Sequence, residues 1–201
     1  MKIESESFGQ GQPIPAEFAL GAKDGFGGNR NPHLTWRGVP QAARSLALLC
    51  IDTDAPTDAS LAGKEGVEIP VEHPRGDFAH WVVVDIPPHV GGIPAGSASD
   101  GVTQGGKPAT ALLEVARQGR NDYTGWFAND TGGMKGEYFG YDGPYPPPND
   151  LRTHRYFFRL FALDVARLDL PDNFGAGEVL RAMQGHVLAE ASTWGTYSLH
   201  G

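Results

Sequence analysis

The chain has 201 residues, 40% of them hydrophobic, with 28 glycines, 16 prolines and a formal net charge of −8. That length and apolar share suit one real core, and no composition shift marks a seam, so residues 1–201 read as a single domain. The acidic balance, with no basic stripe, excludes nucleic-acid binding, and the Gly and Pro content excludes a helix bundle.

Taken in order, Lys2–Phe8 reads as an edge strand and Ala16–Leu20 as a second short one. The opening residues carry no apolar secretory core, and no run nears the ~20 apolar residues of a membrane span. A cytoplasmic protein without an integral membrane segment is the expectation. Gly25–His33 is loop by composition, and Leu34–Arg37 reads as a short strand. Ser45–Asp52 is a continuous apolar run, too short for a helix and bounded by breakers, which predicts a buried strand. It contains Cys50, the single cysteine, so no intrachain disulfide can form.

A long polar excursion follows from Thr57 to Asp77, and Phe78–Pro87 re-enters as the second buried strand. Residues 89–110 are Gly- and Ser-rich loop. Ala109–Gln118 is read as a short helix, and Asn121–Tyr141 as a loop with a strand at Glu137–Phe139. Pro144 and Pro146 to Pro148 cannot donate to a ladder, so they predict a rigid loop leading into the strand Arg155–Leu163. Val179, Leu180, Met183, Val187 and Leu188 recur at helical spacing and predict a helix over Ala176–Ala191, with Asn173 as its capping residue. Ser192–Leu199 is read as a last strand. Mostly strands with no βαβ rhythm predict an antiparallel fold with accessory helices.

Three strand ends carry polar groups that could converge on one cavity: Asp52 and Asp54, His80, and His154 with Tyr156. Two imidazoles and a phenol supply donors for a phosphate or carboxylate oxygen, and an approaching anion raises a histidine's pKa. A carboxylate can orient a histidine or accept from an ammonium group. Each residue also has a plainer reading. The aspartates could close an Asx turn, His80 could be a satisfied core histidine, and His154 could bond a backbone carbonyl. Gly101–Pro108 nearly spells a phosphate loop but ends in Pro108, which has no hydroxyl for Mg²⁺. A metal site at His80, His154 and Asp52 ranks low, so no metal and no cofactor are expected.

Asp52-Thr-Asp-Ala-Pro56, His80-Trp-Val-Val-Val-Asp-Ile-Pro87, and Gly143-Pro-Tyr-Pro-Pro147 with His154-Arg-Tyr156 resemble the phosphatidylethanolamine-binding protein family, which includes the Raf kinase inhibitor proteins. They look most like its bacterial branch. Asn31-Pro-His-Leu-Thr-Trp36 and Ser45-Leu-Ala-Leu-Leu49 fit upstream in the same order, and a helix ending near Ala191 fits downstream. The resemblance implies a large antiparallel sheet packed on a smaller one, a C-terminal helix that gates or lines a pocket, and an anion or phospholipid head group as ligand. It implies a ligand set of Asp52, Asp54, Pro56, His80, Pro146, His154 and Tyr156. Thr53 and Phe78 depart from the family's usual Pro and Trp, and the Thr57–Asp77 excursion is long beside the expected mouth.

A non-catalytic binding protein is the leading reading, with regulation of a protein partner and, by analogy, a homodimer. Two alternatives stay open. One is a His-based ester hydrolase using His80 or His154 as base and Asp52 as orienter. The other is a kinase or protease inhibitor acting by protein contact.

Overall fold

The computed structural model describes residues 1–113 and 115–200. Its strands in chain order are β1 (Lys2–Glu4), β2 (Gly21–Ala22), β3 (Gly25–Phe26), β4 (Leu34–Arg37), β5 (Ser45–Pro56), β6 (Arg75–Ile86), β7 (Gly92–Ile93), β8 (Arg117–Gln118), β9 (His154–Leu163) and β10 (Val187–Tyr197). Two short helices join them, α1 (Tyr123–Trp126) and α2 (Ala176–Ala182). The protein is mostly β. An antiparallel five-stranded sheet runs β10-β9-β5-β6-β8, and a three-stranded sheet runs β1-β4-β7.

The central strand β5 is apolar on both faces because both are covered. Leu46, Leu48 and Cys50 join Ile3, Leu34, Trp36 and Ile93 of the small sheet in one core. Ala47, Leu49 and Ile51 pack on the other face with Val179 and Met183 of α2. Full burial of each such side chain contributes about 1.5–3 kcal/mol, which makes this sandwich the main source of stability. No helix among the described residues is long and apolar enough to cross a membrane.

Several local expectations are corrected. The expected edge strand Lys2–Phe8 stops at Glu4, and Ala16–Phe18 is a 3₁₀ turn rather than a strand. The expected loops contain β3, β7 and α1. Phe139 forms only an isolated bridge with Arg120, so Glu137–Phe139 is not a strand. Ala109–Gln118 is not a helix. Leu112 and Ala116 pair by two backbone hydrogen bonds, Leu113 takes φ 53°, and β8 follows; Glu114 lies outside the described residues.

The largest correction concerns Ala176–Ala191. The helix ends at Ala182, and Val187–Tyr197 is a strand paired antiparallel to β9. Gly185 sits at φ 82°, a left-handed geometry that ends helices, and the β9 backbone supplies the partners that the next residues need. Its N-cap is Gly175, whose N–H donates to Glu178 Oε2 at 3.0 Å, and not Asn173.

Candidate functional site

Two bulges in the β5–β6 ladder shape the site. Cys50 pairs with Trp81 and Ile51 with Ala79, so His80 is the extra residue of the first bulge. An extra residue re-aims side chains out of strict alternation. Here it lets His80 share a face with Trp81. In the second bulge Asp52 pairs with Phe78 and Ala55 with Gly76, leaving Thr53 and Asp54 against Asp77 alone. Asp52 Oδ1 stabilises that bend by accepting the Asp54 N–H at 2.8 Å. The Asx-type bond and a buried Asp52 therefore coexist.

On the neighbouring strand β9, His154 is clamped. Its Nδ1 donates to Asp52 Oδ2 at 2.7 Å and its Nε2 to Asp150 Oδ2 at 3.0 Å. With a carboxylate on each nitrogen, the ring carries both protons. Burial works against that charge but is outweighed by the hydrogen bond and charge of Asp52 and then of Asp150, which raise the His154 pKa. Asp150 also takes a bidentate ion pair from Arg75, at 2.6 and 3.0 Å. Burial opposes its ionisation, yet the Arg75 and His154 bonds hold its carboxyl below the usual range. The result is a buried row, Arg75, Asp150, His154, Asp52, of alternating sign.

His80 has a different setting. Its Nδ1–H donates to the carbonyls of Asp142 at 2.8 Å and Gly143 at 3.1 Å, which fixes the tautomer and leaves Nε2 unpaired among the described residues. Burial lowers the His80 pKa, with Asp52 and the Asp142 carbonyl only partly offsetting it. The neutral ring is the resting form. The Asp142 carbonyl is itself held in place, because the Asp142 carboxylate accepts from Asn29 at 2.7 Å, Asn121 at 2.8 Å and Lys107 at 2.5 Å.

A cavity of about 20 Å³ opens between these elements. That is room for one small polar group. The structure brings Asp52, Pro56, His80, Pro146 and His154 to its wall. Tyr156 and Asp54 are not part of that lining. Tyr156 lies behind it with its ring 5.1 Å from that of His80, fully buried, its hydroxyl without a hydrogen-bond partner. Burial, and then the charge of Asp52, push its phenol well up. Asp54 turns away and takes the guanidinium of Arg155 at 2.8 and 2.9 Å and that of Arg152 at 2.8 Å. The expected C-terminal helix does not gate or line the cavity either; α2 lies on the opposite sheet face.

Sequence reasoning missed Tyr123 and Trp126, which α1 presents to the cavity, and Asp150, Asp142 and Arg75 behind it. The four-residue spacing of Asp150 and His154 was a usable signal. Trp126 and Phe78 meet edge to face with centroids 6.2 Å apart, so an indole stands at the wall although position 78 has none. No group of three His, Cys, Asp or Glu among the described residues is arranged to hold a metal.

With the geometry in hand, comparison with known proteins gives a consistent result. The family model for phosphatidylethanolamine-binding protein matches residues 4–198. A UPF0098 protein of Methanothermobacter thermautotrophicus is 34% identical over 202 residues, covering 98% of each chain. YbhB of Escherichia coli is 29% identical, covering 98% of this chain and all of its own 100%. The crystal structure of Escherichia coli YbcL, described as a member of the mammalian family, superposes with a TM-score of 0.72 at 26% identity over 98% of this chain and 97% of that one. A homologue from Chlamydia trachomatis gives 0.67 at 28% identity over 98% and 96%.

Proposed function

The chain belongs to the phosphatidylethanolamine-binding protein family, and from that premise we propose that it is a non-catalytic binding protein whose cavity takes a phosphate-like anion or a phosphoethanolamine head group. The observation that carries this reading is the inequality of the two cavity histidines. His154 has both nitrogens committed to carboxylates, whereas His80 keeps Nε2 free on a fixed ring. A neutral Nε2 accepts from a phosphate hydroxyl, or takes up a proton and donates to the anion. Asp52 accepts one bond on each oxygen and retains lone pairs for an ammonium group.

The lining supplies no serine, threonine, cysteine or lysine, which weighs against an ester hydrolase. His154 is also poorly suited to act as a base while both nitrogens are engaged. Calorimetry with phosphate, phosphoethanolamine and acetate tests the reading on the parent protein and His80→Ala. Binding accompanied by proton uptake, and lost in the variant, is the expected result. No binding of any probe, or unchanged binding in His80→Ala, rejects it.

A further inference from the structure

A second, shallower depression of about 190 Å³ begins where the polar cavity ends. The two share Trp126, Tyr145, Pro146 and Pro147. Beyond them the groove is bounded by Phe127 and Pro148 on one side and by Ala62 and Gly63 on the other. No charged side chain lines it. Ala62 and Gly63 belong to the long polar excursion between β5 and β6, so a segment rich in Lys and Glu contributes its small uncharged residues here.

That wall is pinned rather than loose. Asn149 Oδ1 accepts the Gly63 N–H at 2.8 Å, while its Nδ2 donates to the carbonyls of Leu61 at 2.9 Å and Val67 at 2.7 Å. Ile69 pairs with the adjoining backbone, donating to the Asn149 carbonyl at 2.9 Å and accepting from Leu151 at 3.0 Å. The excursion is thus stapled to the end of the triple-proline loop. These bonds also occupy the main-chain groups of the groove's outer wall, so an extended peptide finds few backbone partners there. Hydrocarbon needs none.

We propose that this groove is the apolar half of the ligand site and that the ligand is a single-chain amphiphile, its polar head in the cavity and its alkyl chain between Ala62 and the Trp126–Tyr145 wall. The inference rests on the head-group reading above and names the class of molecule that fits it. The excursion then has a role: it lengthens the site away from His80 and selects for an apolar substituent on the head.

The test is a series run by calorimetry and Trp126 fluorescence, from inorganic phosphate through ethyl, butyl and hexyl phosphate, below micelle formation. Affinity is expected to rise about two- to fourfold per added methylene until the groove is filled. Ala62→Glu, which lies outside the polar cavity, is expected to flatten the series while phosphate itself binds within about twofold of the parent. A flat series in the parent with phosphate still bound overturns the groove assignment and leaves the head-group reading standing. An equal rise in Ala62→Glu overturns it too, as does binding of a proline-rich peptide alongside a flat series. A rise that Ala62→Glu removes but His80→Ala leaves untouched supports the groove and rejects the head-group reading. Failure of every probe rejects both.

Discussion

The wall of the cavity holds two histidines in contrasting settings. The His154 corner is saturated: ring, carboxylates and Arg75 satisfy one another, and the side chains of Arg75 and Asp150 are only 9% and 0% exposed. The His80 corner is half finished, with one nitrogen anchored to two carbonyls and the other unpaired. The same residue type therefore frames the site on one side and faces a ligand on the other. What decides is the partner on the second nitrogen. Position at a strand end alone would have made them equivalent.

The contrast can be broken most severely at Asp150. Asp150→Ala strands Arg75 and removes one of the two carboxylates that hold His154, with an expected loss of about 3–5 kcal/mol in urea unfolding. His80→Ala is expected to cost less, about 1–3 kcal/mol for the donor withdrawn from two buried carbonyls, while abolishing phosphate binding. A stability loss at His80 as large as at Asp150 would erase the distinction.

Acidity sharpens it further, because the two rings shift in opposite senses. The His154 pKa is raised, so its contribution is complete below the unfolded value of about 6.5 and fades as pH climbs through the folded one. The His80 pKa is lowered, so its contribution is complete above about 6.5 and fades as pH falls through the folded one. Unfolding measured across pH in His154→Gln and His80→Gln is expected to change slope with opposite sign. Imidazole proton shifts in NMR give the same ordering directly; overlapping titrations would contradict it.

The smallest effect is expected on the outer face of β9, where Arg159 and Glu190 pair at 2.8 Å with side chains 37% and 41% exposed. Arg159→Ala is expected to change stability by less than about 1 kcal/mol. It serves as the exposed counterpart of the buried row.

Strands β5, β6 and β9 were legible because their apolar runs are continuous and end at breakers, and the sheet order followed from them. The reading failed where tertiary pairing overrode a local pattern. Val187 and Leu188 matched a helical stripe, yet both are more than 40% exposed on a strand, because the backbone of β9 outbid another helical turn. In the site, residues at strand ends were found, and residues delivered by loops were not. Asn29 reaches Asp142 across 113 positions, and Asn121 does so across 21. No periodicity encodes such meetings. Asp54 misled for a different reason: a bulge of one residue sends it away from Asp52, and a bulge leaves no mark in composition.

Asp142 joins remote parts of the chain to a single ring. Its carboxylate gathers Asn29, Lys107 and Asn121 while its carbonyl grips His80. Three separate surface segments thus set the pitch of one imidazole. A chemical or sequence change at any of them would be felt as a tilt of that ring, so sensitivity in this molecule follows the wiring of one aspartate rather than nearness to the opening.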